Sequence, residues 1–288
     1  MIALLKLSPI AVLAGMMIGG IDILLSAPVA FVCAVLVAIT LVYAGFLACA
    51  LPRGITEMLS EKYSTADSSP FNREELVSLA VATQDYTVRS HDLNALIAAE
   101  TRANVSVMND NRDRIPGAPN LPSNLASASP EQVMFALNHA GEQYVLNEDA
   151  LAHLDDCHDV ISSARFTLDI VALAALAACV IVGARHGSRS LGSALMSAAG
   201  IVVGAFAVIA IWIAVDFYGF FTAFHSLFFQ AGTWTFSWDS LLICMYPEKF
   251  WIGMGEVWLC ATVSACILCT IIGIVARSIR PRDVSATR

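Results

Sequence analysis

The sequence predicts an all-α integral membrane protein: a four-helix transmembrane bundle with a small helical cap and an interfacial aromatic segment. Three observations point there. Of the 288 residues 57% are hydrophobic and only 14% charged, with a mean hydropathy of +0.69, whereas soluble domains carry about 25% charged residues. Four apolar runs reach the roughly 20 residues that a membrane-crossing helix requires. Charge is also segregated: residues 52–165 hold half of the Lys and Arg and about two thirds of the Asp and Glu, marking one acidic domain inserted between membrane segments. Such an acidic surface argues against nucleic acid and against electrostatic docking on anionic headgroups.

Taken in order, residues 1–27 are apolar but carry Lys6, Pro9 and Asp22. The sequence is compatible with a fifth span or with a surface helix or leader-like segment. Residues 28–51 form the first clear span. The cap, 52–165, reads as short helices. Asn72 followed by Glu75 is a capping box, with Leu76, Leu79, Ala80 and Thr83 at helical spacing behind it. Ser129 and Pro130 open a second helix that Gly141 is expected to stop. Between them, "NDNRDRIPGAPNLPSNLASAS" is rich in Asn, Pro and Ser and reads as a loop or partly disordered insertion. A third helix, starting near Asn147, runs directly into the span 166–184, and Arg165 is spaced to pair with Asp169.

The loop 185–193 carries Arg185 and Arg189, and the tail 277–288 carries Arg277, Arg280, Arg282 and Arg288. Short basic segments stay in the cytoplasm, so the spans 194–216 and 251–276 place the cap and residues 217–250 on the extracytoplasmic side. Few charges line the spans, with Asp22, Asp169 and Glu256 near ends or paired, so an ion or proton path has weak support.

Cys33, Cys179, Cys260, Cys266 and Cys269 lie in apolar runs and read as packing residues. The "CILC" of Cys266 to Cys269 has the spacing of a redox motif but no second pair. Cys157, Cys244 and Cys49 are placed where a bridge among them is compatible with the sequence.

Two stretches carry chemistry. On the third cap helix His153, Asp156, Cys157 and Val160 fall at i, i+3, i+4 and i+7 and share one face. In 217–250, "FYGFFTAFHSLFFQAGTW" sets His225 among aromatic residues, followed by Trp234, Asp239 and Pro247. Its first part is too short to cross a bilayer and suits an interfacial helix or re-entrant loop. An ordinary aromatic belt explains the Phe content, but not this combination of polar residues.

"LAHLDDC", followed by a span, a basic turn, a further span and "FTAFHSLFFQAGTWTFSWDSLLICMYPEKFW", resembles the lipoprotein intramolecular transacylase (Lit-type) family of bacterial membrane proteins over roughly residues 145–276. The second motif is long and specific. The first departs at Cys157, where the family usually has Val, and the insertion around 102–130 departs from the family's compact cap. The resemblance implies transfer of the acyl chain from the second glycerol carbon of a diacylated lipoprotein's diacylglyceryl-cysteine to that cysteine's amino group, with membrane lipid as the surrounding partner and no cofactor. It also implies that the family's two essential histidines correspond to His153 and His225.

Elementary chemistry agrees. An α-amino group of pKa about 7.7–8 needs a base at neutral pH, and an imidazole suits that role. A second imidazole, held protonated by a carboxylate, can stabilise the oxyanion. Asp156 is the first candidate for that carboxylate and Asp239 the other. Phe224, Phe228 and Trp234 are expected to support the site by binding acyl chains and excluding water.

Three rival readings use some of the same residues. Zinc held by His153, Asp156, Cys157 and His225 predicts bound metal and chelator sensitivity, whereas the reading above expects no metal ligand. A Cys157 nucleophile predicts loss of activity in Cys157→Ser. A non-enzymatic assembly protein predicts that His153→Ala and His225→Ala are silent.

Overall fold

The computed structural model describes residues 9–112, 115–125 and 127–279, with side chains from Pro28 onward. Among these the regular structure is helical: α1 (Pro9–Ala50), α2 (Arg53–Tyr63), α3 (Arg73–Gln84), α4 (Leu93–Asn109), α5 (Pro130–Asn138), α6 (Glu148–Val215), α7 (Phe217–Phe228), α8 (Leu241–Met245) and α9 (Glu248–Ser278). A π-helical turn, Asp85–Ser90, follows α3.

Three of these helices contain stretches long and apolar enough to cross a membrane: Pro28–Ala50, Glu148–Val215 and Glu248–Ser278. The 68-residue α6 is two arms, because Gly187 adopts φ 81° and ψ 167°, outside the helical region, and kinks the helix there. Each arm contains one predicted span. The expected nine-residue turn at 185–193 is therefore a one-residue hinge with helix on either side. Basic side chains suit a helical headgroup region as well as a loop, so charge alone did not reveal the helix. Residues 9–27 continue α1 as backbone helix, while residues 1–8 and most of the basic tail lie outside the described residues.

The chain divides into two compact units. The first comprises residues 1–44, 168–208 and 262–288. Its core is built from small and β-branched side chains, among them Cys33, Ala34, Val182, Ala198, Val202 and Cys266. Small residues permit close helix approach: a Cβ on Gly273 would stand 2.9 Å from the carbonyl oxygen of Gly192. Outward-facing Phe31, Leu173, Ile267 and Val275 are exposed, the pattern of spans whose solvent is lipid. Asp169 accepts from the Tyr43 hydroxyl at 2.8 Å, while Arg165, in the other unit, donates to the Val88 carbonyl at 3.2 Å. The expected Arg165–Asp169 pair is thus replaced by a separate partner for each.

The second unit comprises residues 45–167 and 209–261. Asn72 and Glu75 form the reciprocal capping box of α3, and Ser129 with Gln132 forms that of α5, with Pro130 in its first turn. The helices α2 and α4 are not among those the sequence pattern predicts. In α4, Leu96, Ala99, Ala103 and Val107 are buried, so the helical part of the supposed insertion at 102–130 extends through Asn109. The loop beyond it is packed: Leu121 is buried, and the Tyr144 hydroxyl donates to the Ile115 carbonyl at 2.7 Å. Gly141 does not stop α5 by a left-handed turn. Its N–H donates to the carbonyl of Gly117 at 2.7 Å, and Gly117, at φ +98°, leaves only 3.1 Å between an added Cβ and the Gly141 backbone.

The eight cysteines, all among the described residues, form no disulfide. No bridge joins Cys157, Cys244 and Cys49: Cys244 Sγ lies 3.8 Å from the Ser68 carbonyl and Cys49 Sγ 3.3 Å from the Phe46 carbonyl. Cys266 and Cys269 are buried packing residues.

Candidate active site

The first functional helix is positioned from its N-terminus. In α4, the buried carboxylate of Glu100 accepts from the Leu146 N–H at 2.8 Å, and Asn104 donates to the Tyr144 carbonyl at 2.9 Å. These bonds tie 144–146 in place, and Asn147 then caps α6 by accepting from the Ala150 N–H at 2.9 Å. His153 follows about two turns beyond the anchored segment. Burial of Glu100 pushes its carboxyl up to about 7, opposed by the bond from Leu146.

The second helix, α7, is capped by Asp216, whose side chain accepts from the Gly219 N–H at 2.8 Å. Its 12 residues extend only about 18 Å at 1.5 Å per residue, too short for a span. The return strand of coil is tied down by Gln143 donating to Asp239 at 3.1 Å and Leu241 N–H donating to the Glu142 carbonyl at 2.8 Å. Asp239 thus anchors residues 239–241 beside the entrance to α6, and its recorded partner is an amide rather than an imidazole.

These supports bring His153 and His225 together. Their ring centroids are 6.4 Å apart with an interplanar angle of 26°, although 72 positions separate them in sequence. Phe229 touches both: its centroid is 4.9 Å from His153 and 5.7 Å from His225. Phe236 lies 5.6 Å from His153. Trp234 lies 4.8 Å from His225, and Phe221 lies 4.0 Å from it. Of the residues singled out from sequence, Phe224 packs edge-on to His225 at 5.6 Å, and Phe228 packs on Phe224 at 5.3 Å. Phe224 and Phe228 are each about half exposed. Sequence reasoning missed Phe221, Phe229 and Phe236. Phe221 was accessible from its i−4 spacing to His225; the other two meet His153 only through tertiary folding.

The hydrogen bonds distinguish the two imidazoles. His225 Nδ1 lies 2.8 Å from the Phe221 carbonyl, which can only accept, so Nδ1 carries a proton and the neutral ring's lone pair is on Nε2. Burial lowers the His225 pKa, opposed by that carbonyl. His153 is 9% exposed, and its buried Nδ1 has no protein partner. Its pKa is pushed down to about 4, first by burial and then by neighbouring His225, with Asp156 opposing. A carboxylate-held imidazolium is therefore replaced by a neutral ring. Asp156 is exposed, and water weakens its field at the ring. Burial and Asp156 push the Cys157 thiol up to about 12, which disfavours the thiolate that nucleophilic catalysis needs. Among the described residues no group of three His, Cys, Asp or Glu side chains is arranged to hold a metal ion.

Residues 123–251, which contain both histidines and the whole aromatic segment, match the family model described as lipoprotein intramolecular transacylase Lit. Residues 123–251 are a Lit-type region. The membrane integral Lit from Bacillus cereus has a solved structure that aligns over 88% of this chain and 95% of its own, with a TM-score of 0.59 and 13% identity. Two structures of that protein with one histidine replaced, by Arg and by Ala, each cover 91% of this chain. They cover 94% and 96% of their own chains, with TM-scores of 0.52 and 13% identity. At that identity the structures establish a shared Lit-type fold. No curated protein matches this chain.

Proposed function

We propose that this membrane acyltransferase moves the acyl chain on the second glycerol carbon of a diacylglyceryl-cysteine lipoprotein to the α-amino group of the same cysteine. The observation that carries the proposal is the pairing of a buried imidazole, His153, with a half-buried one, His225, their centroids 6.4 Å apart within a wall of aromatic rings.

In this mechanism the neutral amine attacks the ester carbonyl carbon. The C–N bond forms as the carbonyl π pair moves onto oxygen. His225 Nε2 accepts a proton from the attacking nitrogen, and His153 donates a hydrogen bond to the developing oxyanion. Collapse of the tetrahedral intermediate breaks the carbon–oxygen bond to glycerol, and His225 returns its proton to the departing oxygen. The products are an amide and a free glycerol hydroxyl, so no further reactant is required. Because nucleophile and ester belong to one molecule, orientation supplies much of the acceleration, with effective molarities of about 10⁵ M or more. Phe221, Phe224, Phe228 and Phe229 receive acyl chains and keep water from the intermediate. The acidic cap and α7 face the extracytoplasmic side, where diacylated lipoproteins present their headgroups.

Mass spectrometry tests the reaction on lipoprotein N-terminal peptides from cells in which this chain replaces the resident N-acylating enzyme. Cysteine that is N-acylated and singly O-acylated is expected, and it should disappear with His225→Ala. Full N-acylation by that variant would overturn the proposal.

A further inference from the structure

The Cys157 sulfur lies 3.6 Å from His153 Nε2, one turn along α6. This leaves the imidazole with one engaged nitrogen and one buried nitrogen, Nδ1, that no protein group satisfies. An unsatisfied buried polar atom carries a desolvation cost unless a ligand meets it, so Nδ1 marks the side from which substrate is received.

Two arrangements are open to a neutral ring. With the proton on Nε2, the contact to sulfur is a hydrogen bond to a weak acceptor, and Nδ1 presents a lone pair. With the proton on Nδ1, the thiol donates to a strong nitrogen acceptor, and Nδ1 presents an N–H. The neighbouring histidine decides which is useful. The Phe221 carbonyl already fixes His225 with its lone pair on Nε2, so the proton acceptor is in place and the complementary requirement is a donor.

We propose that Cys157 is a positioning residue that donates its thiol proton to His153 Nε2, holding His153 in the Nδ1–H form that meets the ester oxygen. The thiol does not become acylated and forms no bond to substrate. Its contribution is to make one tautomer dominant, which matters because a catalytic imidazole held in the wrong tautomer loses orders of magnitude in rate. This inference rests on the transacylase reading above.

The test is nitrogen NMR of the purified full chain labelled with ¹⁵N-histidine, together with kinetics on a synthetic diacylglyceryl-cysteine lipopeptide. Wild type should show His153 protonated on Nδ1 with a hydrogen-bonded, unprotonated Nε2. Cys157→Ala should move the ring towards the Nε2–H form and lower kcat by up to about tenfold, the scale of one net hydrogen bond. KM should stay within about twofold if only transition-state stabilisation is lost. Cys157→Ser should restore both readouts, and Cys157→Val, which fills the space without a donor, should behave as the alanine variant does. An Nε2–H signal in wild type would overturn the inference, as would an unchanged ring spectrum in both apolar variants. Undiminished transacylation by His153→Ala would instead overturn the parent mechanism, whichever tautomer the spectrum shows.

Discussion

Acidification should separate a neutral His153 from a carboxylate-held imidazolium. The ring's pKa falls from 6.5 in the unfolded chain to about 4 in the folded one. The unfolded state therefore takes up the proton first as pH falls. The stability associated with the neutral ring is complete above 6.5, declines as pH falls through the window down to about 4, and is lost below it. About 2.5 units at 1.36 kcal/mol per unit is roughly 3 kcal/mol. Glu100 acts in the opposite sense: its folded pKa is raised from 4.5 to about 7, so its contribution is full below 4.5 and is lost as pH rises through 7. The two slopes overlap and largely cancel in the whole protein, so a single unfolding curve against pH is uninformative. The measurement is the difference in unfolding free energy between wild type and His153→Phe in detergent, taken at several pH values. Relative to the variant, wild type should lose about 3 kcal/mol between pH 7 and pH 4. A ring resonance of His153 titrating at pH 6 or above would refute the argument, because a carboxylate would then be stabilising the charged form against burial.

Further outcomes follow from other parts of the structure. Glu100→Gln keeps an oxygen acceptor for the Leu146 N–H and removes the buried charge, so stability relative to wild type should rise by about 3 kcal/mol between pH 4.5 and pH 8, measured by denaturant unfolding. His225→Ala should lower kcat by about 10² to 10⁴, the range for general acid–base catalysis, in the lipopeptide assay. The pH profile of kcat should rise about tenfold per unit below about 7.7 as the amine deprotonates. It should steepen only below 6.5, where His225 begins to take up a proton; steepening above 6.5 would place its pKa higher than burial permits. Asn72→Ala should cost about 1 kcal/mol through loss of the α3 cap, read as a lower melting temperature with transacylation retained.

The helical membrane class, the long apolar runs and the two segments proposed to carry chemistry were legible because hydrophobic period and residue type are local properties. Capping boxes at Asn72 and Ser129 were legible for the same reason: their partners stand three residues away. The α4 helix escaped because its buried stripe of Leu96, Ala99, Ala103 and Val107 relies on small alanines, which give a weak local signal. Asp156 shows the limit of spacing arguments. Helical periodicity set it one turn from His153, but exposure to water, a tertiary property, reduced its hold on the ring.

By itself the sequence determined that this is a helical membrane chain, that an acidic stretch separates its apolar runs, and that His153 and His225 stand in the two segments proposed to carry its chemistry. Tertiary structure decided that the two rings meet, that burial keeps them neutral, and that Phe229 and Phe236 join them. Pairing and burial depend on residues far apart in the chain, and only folding sets the dielectric in which a proton is held or released.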